Sequence, residues 1–364
     1  MGKKLIFYIK IVTLIFMSVF CLVKPDIINS SVYDAVGRCL NIIIPSLYAM
    51  MILAPLLIKS GIIDGISRFT GKIGKFLFGM DNIVFPVFVF SMIAGYPTGV
   101  KMLSSAYEKG LIDKKRAEIF SGVCFGAGTA FISGCVTSQL YGNNSAGNLI
   151  LISTVSANIV FAFMISFFMR KNCTLKNQKN DIKITSGMLT ECVANGGNSI
   201  INICFMVMIF AVITAILDYT GIISVIGKFI SGITGISAED SGQIVKAVTD
   251  VTAVTGFSHG NYKLLPYLSA LISFGGICVI FQISAVSGGL SLKPLIIERL
   301  IISVISFIVC RILSPVILSG ETVFTSSVNV RTHQAHSPVP SVMLIIMTFF
   351  LLSEYEKIRL FKKE

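Results

Sequence analysis

The stretch "NIVFPVFVFSMIAGYPTGVK", residues 82–101, decides the fold. It begins as an apolar run suited to a bilayer and closes on Gly95, Pro97, Gly99 and Lys101. A helix that merely crosses a membrane has no need of these residues in its last turns, because glycine and proline both weaken a helix. The pattern is also duplicated. "GYPTG" (95–99) returns as "GFSHG" (256–260), again a Gly-aromatic-x-x-Gly behind a short apolar run.

Two further matches flank this pair. Residues 36–69 lie over 196–229 at an offset of 160, pairing Gly37 with Gly197 and "GII" at 61 with "GII" at 221. "FGAGTAFIS" (125–133) lies over "FGGICVIFQ" (274–282) at an offset of 149. Matches in one order at nearly constant spacing imply two halves descended from one unit.

Composition sets the environment. Over 364 residues the chain is 54% hydrophobic and only 13% charged, with a mean hydropathy of +0.83. It reads as a polytopic membrane protein. Apolar runs long enough to cross recur at 5–23, 39–58, 119–140, 147–169, 199–219, 264–288 and 294–318, while those at 82–100, 242–257 and 339–353 are short or interrupted. About 20 apolar residues are needed per crossing. The first run has the basic start of a signal peptide but no small-x-small site before Lys24, so it reads as a retained helix.

The net charge of +12 comes from Lys and Arg in short loops, where membrane topology rather than nucleic acid accounts for them. Nine cysteines show no C-x-x-C, there are three histidines, and no Walker, G-x-S-x-G or H-E-x-x-H pattern occurs. Neither a metal, a cofactor nor an enzymatic centre is expected.

Charge orients the halves. Residues 59–118 carry nine Lys or Arg, the matching 219–263 only three, which predicts a cytoplasmic first set and an external second set. The linker 170–183 and the tail are basic and cytoplasmic by the same rule. These placements agree if 82–100 and 242–257 dip in and return on the side they entered. The expected fold is an all-α polytopic membrane protein of two inverted-topology repeats with re-entrant helical hairpins and about eight spanning helices. Its parts are a first transmembrane helix (1–30), a first repeat (31–169), a basic linker (170–190), a second repeat (191–318), and an external loop with a short final membrane segment and basic tail (319–364). The segments 61–79 and 221–235 are amphipathic and basic, suited to the membrane surface.

Interrupted segments at matching places in two halves are where secondary transporters hold a solute. Gly95, Tyr96, Pro97, Thr98 and Gly99 form the first candidate stretch, with free backbone N–H groups that favour an anion and Lys101 beside it. The other reading is helix packing through small residues, with Lys101 reaching to the interface. In the second half Asp250 stands among Thr249, Thr252 and Thr255 ahead of Gly256. An ionisable side chain in an apolar segment suggests a coupling cation or proton; the alternative is an external loop carboxylate. Gly126, Thr129 and Gln282 add small and polar groups on otherwise apolar spans, for solute contact or interhelical packing. Tyr96 and Phe257 are suited to stacking on a planar ring.

At these residues the chain resembles a known family. "GYPTGVKMLSSAYEKGLIDKKRAEIFSGVCFGAGTAFISGCV" (95–136) and "FGGICVIFQ" (274–282) are similar to the YlbJ (SpoVV) family of sporulation integral membrane proteins. That family lies in the nucleoside-recognition or Gate-domain group, with the SpmA and SpmB proteins and the membrane gate of FeoB. Where the family usually carries Asn-Thr-Ser-Gly-Pro, this chain reads "CFGAGTA". The resemblance implies a multi-pass carrier of the cell or forespore membrane, with dipicolinate as solute and nucleosides as the broader analogue. A scaffold that assembles with itself or with membrane partners is the rival expectation.

Overall fold

The computed structural model describes residues 2–169 and 182–318, and the described chain is helical throughout, with no strand. Helix α1 spans Gly2–Val23 and helix α2 spans Pro25–Lys59. Pro25 stands in the first turn of α2, where its missing N–H costs nothing. Pro45, inside the helix, cannot donate to the preceding turn, and α2 widens into a π-type turn at Cys39–Ile43 just before it. The Ser46 hydroxyl donates to the Ile42 carbonyl at 2.6 Å in that widened stretch.

Gly61, at a φ of 80°, turns the chain into the amphipathic helix α3 (Ile62–Phe78). Helices α4 (Val84–Ala94) and α5 (Thr98–Glu108) are separated by Gly95–Pro97 and contact each other, and α6 covers Lys114–Val123. Helix α7 opens as Thr129–Phe131 and continues in π-type turns over Ile132–Tyr141; α8 is Asn144–Met169. In the second part α9 (Ser186–Tyr219), α10 (Ile222–Thr234) and α11 (Ala238–Thr249) are followed by a 3-10 stretch, Val251–Gly256. Helices α12 (Leu265–Phe274), α13 (Gly276–Val286) and α14 (Lys293–Ile317) complete the described chain.

Element order repeats. α2 and α9 end 160 residues apart, and each is followed by a left-handed glycine, Gly61 or Gly221, and an amphipathic helix that ends on another, Gly79 or Gly235. α8 and α14 begin 149 residues apart. These long helices pack together in opposite directions. Along α2 and α9, Lys59 meets Glu191 at 2.5 Å, Ile52 faces Gly196, and Cys39 contacts the Cys204 carbonyl, so one number falls as the other rises. Along α8 and α14, Arg299 reaches Asn158 while Cys310 lies by Ser153. The crossed contacts are reciprocal too: α6 packs on α14, and α12 packs on α8.

Among the described residues α2, α8, α9, α14 and the stretch Tyr262–Val286, which holds α12 and α13, are long and apolar enough to cross a membrane, and α10 with α11, bent by 116°, are so as a pair. Their outer faces are apolar: Phe163 and Phe167 on α8, Phe205 and Ile209 on α9, and Val304, Ile308 and Ile312 on α14 are all exposed. Their inner faces carry Ser153, Thr154, Asn158, Ser269 and Ser306, all buried. That inversion of the water-soluble pattern marks a membrane-embedded bundle, in which polar groups turn to one another and not to lipid.

Two expectations shift. The run 119–140, read as one span, is broken at 124–128, where Gly128 has a φ of 78°. The second interrupted segment begins at Ala238, four residues before the expected 242, because Ser237 caps α11 by accepting from Asp240 N. The segment 339–353 lies outside the described residues.

Candidate functional site

The first interruption follows from its sequence. Gly95 takes a φ of 88°, which a side chain disfavours, and α5 restarts at Thr98, whose N–H donates to the Gly95 carbonyl at 3.1 Å. Residues 95–99 are all buried, as irregular backbone in a membrane must be. Tyr96 packs its ring 4.7 Å from that of Phe125.

The second interruption is built on Asp250. It ends α11 in an extended conformation and its carboxylate accepts from Thr252 N at 3.0 Å and Thr252 Oγ1 at 2.7 Å. This local turn starts the 3-10 stretch. Asp250 is 4% exposed, a depth at which an unpaired charge is costly.

The two interruptions meet. Ser46, Tyr96, Asp250, Thr252, Val279 and Gln282 line a cavity of about 30 Å³ between α2, α9 and α13. That exceeds the roughly 10–15 Å³ that a single water needs. Gln282 donates to Cys278 Sγ at 3.2 Å. Arg38 of α2 is the cation whose field reaches Asp250, and its Nε is buried with no hydrogen-bond partner. A carboxylate, a hydroxyl and an amide around so small a space suit a proton or a small cation with one water. No group of three or more His, Cys, Asp or Glu converges on a metal site among the described residues.

Arg299 of α14 holds the arrangement from behind. It is fully buried, donates to the Phe125 and Ser273 carbonyls at 3.0 Å each and to Asn158 Oδ1 at 2.6 Å, and lies 4.7 Å from the Phe125 ring centre. Phe125 sits in the break between α6 and α7, and Ser273 in the last turn of α12 before Gly275. One guanidinium therefore satisfies carbonyls orphaned at both breaks. Beside it Glu298 is buried with one oxygen unpaired.

The remaining sequence candidates are dispersed. Lys101 turns from the cavity to α9, donating to Ser199 Oγ at 2.7 Å and the Asn195 carbonyl at 3.4 Å. Gly99 and Gly126 are close-packing glycines: a Cβ on the first would meet the Cys124 carbonyl, and on the second the Ser91 carbonyl. Thr98 Oγ1 is buried without a partner, and the Tyr96–Pro97 bond is cis. Thr129 is exposed; Thr255 is half-buried and bonded to the Thr252 carbonyl; Gly256 is exposed; Phe257 is in the core and off the cavity. Sequence reasoning missed Arg38 and Arg299, although a lone arginine in an apolar helix is the signal that finds both.

No family model, no curated protein and no solved structure matches the chain.

Proposed function

We propose that the chain is a membrane carrier for a small solute, built as two inverted-topology repeats whose interrupted segments share the Asp250 cavity. The observation that carries this reading is the meeting of Tyr96 from one interruption with Asp250 and Thr252 from the other on one small cavity whose wall is otherwise mostly apolar. The antiparallel pairing of α2 with α9, and of α8 with α14, supports the inversion: equivalent helices related by an axis in the membrane plane run in opposite directions. In this reading α1, α2, the broken pair α6 and α7, α8, α9, the kinked pair α12 and α13, and α14 cross. The hairpin of α4 and α5 and the segment from α11 to Gly256 enter and return, and 339–353 completes about eight crossings.

The solute is a planar anion such as dipicolinate in sporulation, as the family resemblance implies, with nucleosides as the analogue. A cavity of about 30 Å³ is far below the roughly 300 Å³ of a small-molecule site, so the described state is closed. The test is uptake of labelled dipicolinate and, separately, of nucleosides into proteoliposomes. Saturable uptake by the wild type, lost in Asp250→Asn and Gln282→Leu, supports the carrier.

The same small volume favours a second reading, a membrane scaffold that keeps the fold without opening. Wild-type vesicles that take up neither solute, with a stable protein partner recovered on α3 or α10, would replace the carrier by the scaffold.

A further inference from the structure

A second and larger cavity, about 420 Å³, lies where α10 turns into α11, against the Asn261–Leu264 turn and the last turns of α14. It shares no lining residue with the Asp250 cavity, and its volume falls in the range of small-molecule sites. Its charged groups are Asp240, Lys263 and Arg311, with Tyr262 and Tyr267 on the wall.

The balance of free charge is positive. Asp240 is 3% exposed and both its oxygens are engaged, Oδ1 accepting from Ser258 N at 3.0 Å and Oδ2 from Ser237 Oγ at 2.9 Å. Lys263 and Arg311 join no ion pair among the described residues. Lys263 and Arg311 outnumber Asp240, whose carboxylate is already held by its own two donors, so the cavity keeps a net positive charge that favours an anion.

In the first half the corresponding junction carries a cation of its own. There the amphipathic helix α3 ends at Gly79, and Arg116 of α6 donates to the Gly79 carbonyl at 3.0 Å while pairing with buried Asp81. A built-in side chain closes that junction. In the second half α10 ends at Gly235, and the position 149 residues beyond Arg116 is the core residue Leu265, which offers no such donor.

We propose that this cavity is a binding site for a small organic anion carrying one or two carboxylates, held between Lys263 and Arg311. Arg311 offers a planar fork to a carboxylate and Lys263 a mobile point charge. Ligand there would press on the turn that Asp240 holds through Ser258, two residues beyond the stretch that Asp250 begins.

The test is calorimetric titration of glutarate into the full chain in nanodiscs at low salt. The expected result is saturable millimolar or tighter binding, weakened at least about tenfold in Arg311→Gln and in Lys263→Gln. Lys228→Gln on the exposed face of α10 leaves it unchanged. Binding is read without transport, which separates this site from the carrier reading: failed uptake does not touch it. If Arg311→Gln melts early, Lys263→Gln alone decides, since its side chain is on the surface. No saturable heat with glutarate, or binding as tight as the wild type's in both variants, overturns the proposal. So does binding of methylguanidinium in place of glutarate, because Asp240 would then govern the cavity.

Discussion

Replacing Arg299 by methionine keeps most of the side chain's length and removes its charge and all its donors. Three acceptors lose their partner at once: the Phe125 and Ser273 carbonyls and Asn158 Oδ1. A buried acceptor left unsatisfied costs about 1–3 kcal/mol. Against the sum stands the desolvation of the guanidinium, which the methionine variant no longer bears. Breaking a buried charged network from one side comes to about 3–5 kcal/mol in all, and that is the expected loss. Lysine keeps the charge but not the fork, so Arg299→Lys falls between. The assay is thermal or denaturant unfolding of the protein in mild detergent, with Arg68→Gln on the exposed face of α3 as a control that stays within about 0.5 kcal/mol. An Arg299→Met variant as stable as that control would refute the assignment of Arg299 as the group that satisfies both breaks.

Other outcomes follow from the same geometry. Gly99→Ala and Gly126→Ala push a Cβ into backbone carbonyls and lower stability by about 1–3 kcal/mol, whereas Gly197→Ala, with nothing within 4 Å, is neutral or gains about 0.5–1 kcal/mol; unfolding midpoints that rank otherwise reject the packing role. Arg116→Met breaks the buried contacts to Asp81 and the Gly79 carbonyl and costs about 3–5 kcal/mol by the same unfolding assay. For the inverted repeat, in a cysteine-depleted chain a cysteine placed at Ser258 should react with a membrane-impermeant maleimide in intact cells, and one placed at Asp113 only after permeabilisation; the same accessibility for both sinks the topology.

Much of the helical layout was legible because it rests on local rules. Apolar length marked the long helices, and the 160-residue match predicted, through Gly61 and Gly221, where α2 and α9 end and turn. Gly95 with Pro97 announced the first interruption. The break at 124–128 was not legible, since "VCFGAGTAF" stays apolar and glycine in a membrane helix usually reads as packing. What stabilises that break is Arg299, 174 residues beyond Phe125, and no local pattern carries such a contact. Lys101 misled for the opposite reason. It sits next to the interruption in sequence, but α5 turns it toward Ser199 on α9. For Asp250 the sequence left two readings, a carboxylate within the membrane or one in an external loop, and its burial came only from the tertiary fold.

Arg299 also constrains how the two halves depend on each other. Its counterpart 149 residues earlier is Ile150, so the cation that serves both breaks is encoded once. Two copies of the first half could not reconstitute the bundle, having no guanidinium for either break, and two copies of the second would bring a pair of them together. During synthesis the Phe125 carbonyl waits for α14, the last described helix to leave the ribosome. The first half is therefore made early but finished late, and a chain truncated before Arg299 would leave the junction of α6 and α7 unsealed.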